Sequence, residues 1–297
     1  MKNTNNKGLF HNLIFSLAMR IPWIVPDALF LKILYYHITD NKLNLSAPKS
    51  YNEKIQWLKL YDRKPQYTIM VDKYEAKNYI KGIIGEQYII PTLKVYNDVD
   101  DIDFDSLPSQ FVLKCTHDSG GVVICKDKRA LNIQNTKNIL RAGLKQNFYW
   151  QNREWPYKNV PHRIIAEKYM IDESGTELKD YKFFCFNGEP KIVQVDYDRF
   201  NGHKRNLYDL EWKRLPFTLQ FPTDWDHEIS KPESLEEMLE ISRKLSKGIP
   251  HVRVDLYHIK GKVYFGELTF FHGSGFEKFT PEEWNITFGE WLNLNNN

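Results

Sequence analysis

Residues 111–124 constrain the fold most. The run Phe111-Val112-Leu113-Lys114-Cys115 is apolar except for one lysine, breaks into Thr116-His117-Asp118-Ser119-Gly120-Gly121, and resumes as Val122-Val123-Ile124. Two apolar runs around a Gly-Gly break predict a β-hairpin. Backbone N–H groups in a glycine loop can point at phosphate oxygens, and a lysine emerging from a buried strand is a fixed cation beside them. A hairpin with an ordinary surface turn has the same local signature, so this segment by itself leaves both readings open.

Toward the other end, residues 253–257 and 263–269 alternate with period two on either side of Lys260-Gly261-Lys262, which predicts a second hairpin turning at glycine. Asp255 and Glu267 are then expected to face each other, with Arg253 two residues away on the same face. Two carboxylates beside a guanidinium suit a hard-oxygen Mg²⁺ site. A solvated cross-strand charge cluster is the plainer alternative.

A lysine hairpin first and an acidic hairpin last, in a chain of 297 residues, resemble the ATP-grasp superfamily. More closely, the chain resembles its TupA-like branch. The residues that carry this are Lys42-Leu43-Asn44-Leu45, Ser50-Tyr51-Asn52-Glu53-Lys54-Ile55-Gln56-Trp57, Asp72-Lys73-Tyr74, the 111–128 hairpin, Arg153-Glu154-Trp155-Pro156-Tyr157, Asp180-Tyr181-Lys182-Phe183-Phe184-Cys185-Phe186-Asn187-Gly188-Glu189, and the stretch from Arg253-Val254-Asp255 through Gly275. The resemblance implies an α+β, ATP-grasp fold: two α+β lobes with the nucleotide between antiparallel sheets, preceded by a helical N-terminal region. The expected division is residues 1–87 for the helical region, 88–170 for the lid lobe with the lysine hairpin, and 171–297 for the lobe with the metal site.

The resemblance also implies ATP and Mg²⁺ as cofactors. Lys114 would hold the α/β-phosphates, within a loop of His117, Ser119, Gly120 and Gly121, and Glu167, Lys168, Tyr169 and Met170 would line the adenine slot. Asp255 and Glu267 would bind metal and Arg253 would stabilise the transition state. Thr269 stands where the superfamily commonly has asparagine and offers one hydroxyl oxygen to a metal. Asp180 and Lys182 share a strand face, where they suit a ribose hydroxyl and a phosphate or substrate, or form a surface ion ladder. Arg199 belongs to a basic loop with His203, Lys204 and Arg205 that suits a γ-phosphate or an acidic glycan, or is merely solvated. The loop Phe271-His272-Gly273-Ser274-Gly275-Phe276 resembles one that binds substrate beside the phosphates. Residues 153–157 read either as substrate-facing or as anchors that pin a loop.

The activity implied is carboxylate–amine ligation through an acyl phosphate, in biosynthesis of a surface polysaccharide such as a capsule, exopolysaccharide or teichuronopeptide. Its partners would be an acidic glycan or nucleotide-sugar precursor and an amine, for instance an amino acid. A sugar kinase or a glycosyltransferase of the same pathway class stays open. No Walker A, GxGxxG, GxSxG or HExxH motif occurs.

With 41 basic and 38 acidic residues the net charge is +3, too balanced for a nucleic-acid binder. Cys115, Cys125 and Cys185 lack metal-ligand spacing and lie in apolar runs, as expected of reduced thiols in a cytoplasmic protein. Residues 8–36 are apolar but interrupted by Arg20, Pro22, Pro26 and Asp27, too broken to span a bilayer. They read as helices packed on the body, or as an amphipathic segment resting on the inner membrane.

Locally, Ser50-x-x-Glu53 and Ser234-x-x-Glu237 predict capped helices, the second ending at Gly248. Further helices are expected over 67–80, closed by Gly82 and Gly85, and over 133–148. An irregular loop is expected over 150–161. Strands are expected from 88, over 163–170, and as a 178–195 meander turning at Asn187-Gly188.

Overall fold

The computed structural model describes residues 8–118, 120–173, 175, 178–197 and 202–294. Five helices lead: α1 (Leu9–Arg20), α2 (Asp27–Thr39), α3 (Tyr51–Tyr61), α4 (Gln66–Val71) and α5 (Glu75–Ile84). Ser50 opens α3 with a full capping box, its hydroxyl accepting from the Glu53 N–H while Glu53 reaches back. The helix expected over 67–80 is broken at 72–74, because the buried Asp72 carboxylate accepts from the N–H groups of Tyr74 and Glu75 and restarts the chain as α5. Gly82 does not end α5, which runs on to Ile84 before Gly85 turns out at φ 105°.

Two antiparallel sheets follow. Strands β1 (Thr92–Tyr96), β2 (Phe111–Cys115), β3 (Val122–Cys125) and β4 (Ile164–Lys168) lie in the order β1-β4-β2-β3. β2 alternates, burying Phe111, Leu113 and Cys115 in a core shared with Leu140 of α6 (Ile133–Leu144), so Lys114 emerges on the opposite face. α6 stops short of the expected 148. Asn147 caps a separate short helix, α7 (Phe148–Asn152), and Trp155–Asn159 form a 3₁₀ turn where only loop was expected. Arg153, fully buried, pairs with Asp27 at 3.0 Å and donates to the carbonyl of Val25. The 153–157 segment therefore anchors the N-terminal helices.

The second sheet has strands β5 (Asp180–Phe186), β6 (Glu189–Tyr197) and β7 (Lys204–Tyr208). After a small strand β8 (Thr218–Leu219) and helix α8 (Leu235–Ser246) come β9 (His251–Ile259) and β10 (Lys262–Thr269), giving the order β10-β9-β5-β6-β7. β11 (Phe279–Thr280) pairs with β8, and α9 (Glu283–Trp291) is the last helix among the described residues. Asn187 and Gly188 turn the β5–β6 hairpin with φ of 51° and 89°. Ser234 makes no side-chain cap on α8, contrary to its sequence signature. Residues 51–80, grouped by sequence with the N-terminal region, share the large core of this second sheet through Tyr51, Ile55, Leu58, Met70 and Ile80. α2 packs on the body through Phe30, Leu31, Leu34 and Tyr35. No helix among the described residues is long and apolar enough to cross a membrane.

Candidate active site

On the first sheet, the glycine loop is built by close packing. A Cβ on Gly121 would lie 2.8 Å from the Cys115 sulfur, and one on Gly143 of α6 would meet the same sulfur at 2.8 Å and the Gly121 Cα at 3.1 Å. Only glycine lets the helix press on the hairpin there. The Asp118 carboxylate accepts from the Gly121 N–H at 3.2 and 3.1 Å and closes the loop, while Gly120 faces open space. Three lysines gather beneath it. Lys114 and Lys77 both pair with the Glu167 carboxylate, at 2.6 and 2.5 Å. Lys73 donates to the Asp118 carbonyl, and its own N–H bonds the Thr116 carbonyl. Burial pulls the Lys73 pKa down, and Lys114 adds to the effect.

Glu167 is thus the counter-ion of Lys77 and Lys114. Burial alone raises its carboxyl, but Lys114 and Lys77 outweigh that and hold it below its usual range. Lys168 is exposed and its N–H bonds the Pro91 carbonyl; Tyr169 and Met170 are half-buried at the start of the connection to the second sheet. His117 is buried and stacked flat on His162, ring centroids 3.7 Å apart, so it supports the base of the loop. Ser119 and Arg199 lie outside the described residues.

On the second sheet, Asp255 and Glu267 are direct cross-strand partners because of a bulge. Pairing runs in one register from Lys262↔Ile259 to Phe265↔Leu256, shifts by one residue at Gly266, and resumes as Glu267↔Asp255 and Thr269↔Arg253. Without the shift, Glu267 would point to the opposite face. A Cβ on Gly266 would come within 3.0 Å of the Asp255 carbonyl and 3.1 Å of the Tyr257 ring, so glycine suits the bulge.

This sheet carries a buried ionic chain that runs across its inner strands. Asp255, buried, accepts two bonds from Arg253 at 2.6 Å each and one from Lys182 at 2.8 Å, and Lys182 also pairs with Asp180 at 3.1 Å. Arg253 further donates to Thr269 at 3.0 Å and lies 3.4 Å from Glu267. Burial disfavours the Arg253 charge, but Asp255, Glu267 and Asp196 keep the guanidinium protonated. The chain continues past the residues expected from sequence: Arg253 meets His272, His272 meets Glu277 at 2.8 Å, Glu277 meets Arg205 at 2.9 Å, and Arg205 meets Asp196 at 2.7 Å. Burial raises Glu277, yet His272, Arg205 and Arg253 bring it down to about 2.

The substrate-like loop rests on α3. Gln56 and Lys59 donate to the Ser274 carbonyl at 2.9 Å each, Gln56 also bonds that of Gly275, and the buried Glu154 carboxylate accepts from the Ser274 hydroxyl. Gly273, Ser274 and Gly275 all have positive φ, and a Cβ on Gly275 would collide with Gln56 and Ile55.

Glu267 is half-buried. Its partial burial works against its charge, but Lys73, in the break between α4 and α5 below the glycine loop, is the largest opposing charge, ahead of Arg253 and Lys182, and the carboxyl lies below its usual range. Lys73 is the functional candidate that site assignment from sequence left out. Its only local signal was the Asp72-Lys73 pair, which also reads as an ordinary helix-surface pair.

No curated protein matches the sequence. Among solved structures, a D-alanine–D-alanine ligase from Bacillus anthracis complexed with ATP is similar at 17% identity and a TM-score of 0.40, over 68% of this chain and 54% of that one. This chain therefore spans about half the length of that ligase. The D-alanine–D-alanine ligase from Helicobacter pylori is similar at 16% identity and a TM-score of 0.42, over 82% and 70%. The ATP-grasp ligase PsnB, complexed with a precursor variant, Mg and ADP, is similar at 10% identity and a TM-score of 0.42, over 92% and 73%. The model of the family described as TupA-like ATPgrasp matches residues 53–293, from α3 through the last helix. The chain, an α+β fold with two large antiparallel sheets, belongs to the TupA-like ATP-grasp family.

Proposed function

We propose that this protein is an ATP- and Mg²⁺-dependent carboxylate–amine ligase. The observation that carries the reading is the pairing of two built walls: the glycine loop with Lys114 and with Lys73 bonded to the Asp118 carbonyl, and the Arg253–Asp255–Lys182 network beside Glu267. A site between two sheets, cationic on one wall and mixed on the other, suits a polyphosphate whose charge must be neutralised on both sides. In this reading residues 88–170 form the lid and residues 171–297 the catalytic lobe.

The donor set fits the cofactors. Asp255, Glu267 and the Thr269 hydroxyl would hold Mg²⁺, which commonly takes one or two carboxylates and completes its shell with phosphates and water. When bound, the ion supplies positive charge to the transferring phosphoryl group. Lys114 and Lys73 would bind phosphate oxygens, the Gly120 and Gly121 backbone would cover them, and Tyr169 and Met170 would flank the base. Arg253, fixed by Asp255 and His272, would stabilise charge on the acyl phosphate, and Lys182 would orient the reacting carboxylate. Ser119 and Arg199 remain candidates for phosphate contact by family resemblance.

We assign the substrates to the family's chemistry, an acidic glycan or nucleotide-sugar precursor in the cytoplasm joined to an amine such as an amino acid. Hydroxylamine in place of the amine tests the reaction class. A ligase yields a hydroxamate with ADP and phosphate. A phosphate ester formed with ADP and without phosphate release would instead identify a kinase, and consumption of a sugar nucleotide with ATP untouched would identify a glycosyltransferase.

A further inference from the structure

The outer side of the α1–α2 pair is unusually apolar for a surface. Leu13 and Leu17 lie one turn apart on α1 at 67% and 56% exposure, Trp23 and Ile24 project from the turn between the helices at 65% and 66%, and Leu29 follows at 51%. These helices are not short of inward contacts. Ala18, Phe30 and Leu34 are buried between them, and Leu31 and Tyr35 seat α2 on the body. The exposed set is therefore a second face rather than a poorly packed first one. Apolar clusters of this kind mark interaction sites.

Charge decides which partner it fits. Residues 8–39 contain three formally charged side chains, Arg20, Asp27 and Lys32. The acid is turned inward, where Arg63 at 2.6 Å, Arg153 at 3.0 Å and the Tyr149 hydroxyl at 2.8 Å hold it. Both cations are exposed. Arg20 continues the Leu13–Leu17 stripe of α1 by helical spacing, and Lys32 lies one turn beyond Leu29 on α2. The exposed set of residues 8–39 thus combines leucines, one indole and cations; the nearest exposed acid in sequence is Asp40, at the far end of α2. That is the composition of a helix pair lying in the interface of an anionic bilayer, with tryptophan at headgroup level and basic side chains on lipid phosphates.

We infer that α1 and α2 form a lipid-docking face that seats the protein on anionic membrane surfaces. The position of the face is consistent with its use. Phe276, the last residue of the loop at the ionic chain, packs against the inner sides of both clusters of these helices. A bilayer touching the outer face would lie one helix layer away from that loop. Docking does not depend on the ligase chemistry and is read without turnover.

The test is flotation of the full-length protein with vesicles of phosphatidylcholine alone or mixed with phosphatidylglycerol. Binding to the anionic vesicles should be roughly tenfold or more tighter than to phosphatidylcholine, and should weaken as salt is raised. The double variant Trp23→Glu, Ile24→Glu alters only exposed side chains, so its unfolding midpoint should stay near wild type while vesicle binding falls about tenfold or more. Arg20→Glu, Lys32→Glu should remove the preference for anionic lipid. Equal and negligible flotation with both vesicle types would overturn the inference. So would a wild-type dimer that the Trp23→Glu, Ile24→Glu variant splits into monomers without any vesicle binding, which would make the face a contact between two copies.

Discussion

Glu167→Gln separates the role the structure gives this residue from the adenine contact that family resemblance implies. The carboxylate is 5% exposed and neutralises Lys77 and Lys114, whose side chains are 12% and 20% exposed. The amide is nearly isosteric but leaves both ammonium groups, with Lys73 close by, lacking this counter-charge. Removing one partner of a buried ion pair costs about 3–5 kcal/mol, and the exposure of Lys114 places this case near the lower end, about 3 kcal/mol. A ligand whose phosphates take over the missing negative charge recovers part of that loss. If about half, near 1.4 kcal/mol, is relieved on binding, the variant binds nucleotide about tenfold more tightly than wild type while being less stable without it.

The pH dependence has a defined sign. Because Glu167 is held below its ordinary range in the folded state, its contribution is complete above the unfolded carboxyl's pKa and is lost as pH falls through the folded one. The variant should therefore lose stability less steeply on acidification. Urea unfolding across this range, with ATP titrated calorimetrically into both proteins, measures each quantity. An unchanged unfolding midpoint together with a tenfold or greater loss of ATP affinity would refute the reasoning and return Glu167 to the adenine slot.

Two further outcomes are expected. Lys73→Met should weaken ATP binding by roughly tenfold or more, and, by removing the largest charge opposing protonation of Glu267, should move the acid limb of Mg²⁺-dependent ATP binding to higher pH; an unshifted limb would separate Lys73 from the metal site. Gly266→Val forces a side chain against the Asp255 carbonyl and the Tyr257 ring, so about 1–3 kcal/mol of stability should be lost with turnover, and wild-type values for both would show that the bulge does not set the carboxylate pair.

Much of the fold was legible because its signals are local. The alternation of Phe111, Leu113 and Cys115, the Asn187-Gly188 turn and the Ser50 capping box each declare themselves within a few residues, and each has its expected form. The errors arose where a side chain acts on its own backbone. Asp72 breaks a helix that apolar spacing makes continuous, and Asn147 starts a new one where a single helix was expected. Ser234 shows the reverse, a cap motif in sequence whose hydroxyl makes no cap bond.

The site was legible to the extent that its members repeat a strand period: a turn centred on Gly261 places Asp255 opposite Glu267, and the two are paired. The route to that pairing was not legible, because the turn is tighter than expected, Lys262 pairing with Ile259, and the extra residue at Gly266 restores the register. Glycine inside an otherwise β-branched and aromatic strand was the visible sign of that bulge. The extension through His272, Glu277, Arg205 and Asp196 had no such sign, because it joins residues on β6, β7 and the 271–277 segment that no short-range rule relates. Its physical consequence is that Arg253 is held at both ends, by Asp255 on its own strand and by a histidine whose other nitrogen is fixed by a carboxylate. An arginine clamped in this way loses little further freedom when it meets a developing negative charge, which is the condition for electrostatic stabilisation to act on the transition state rather than on binding alone.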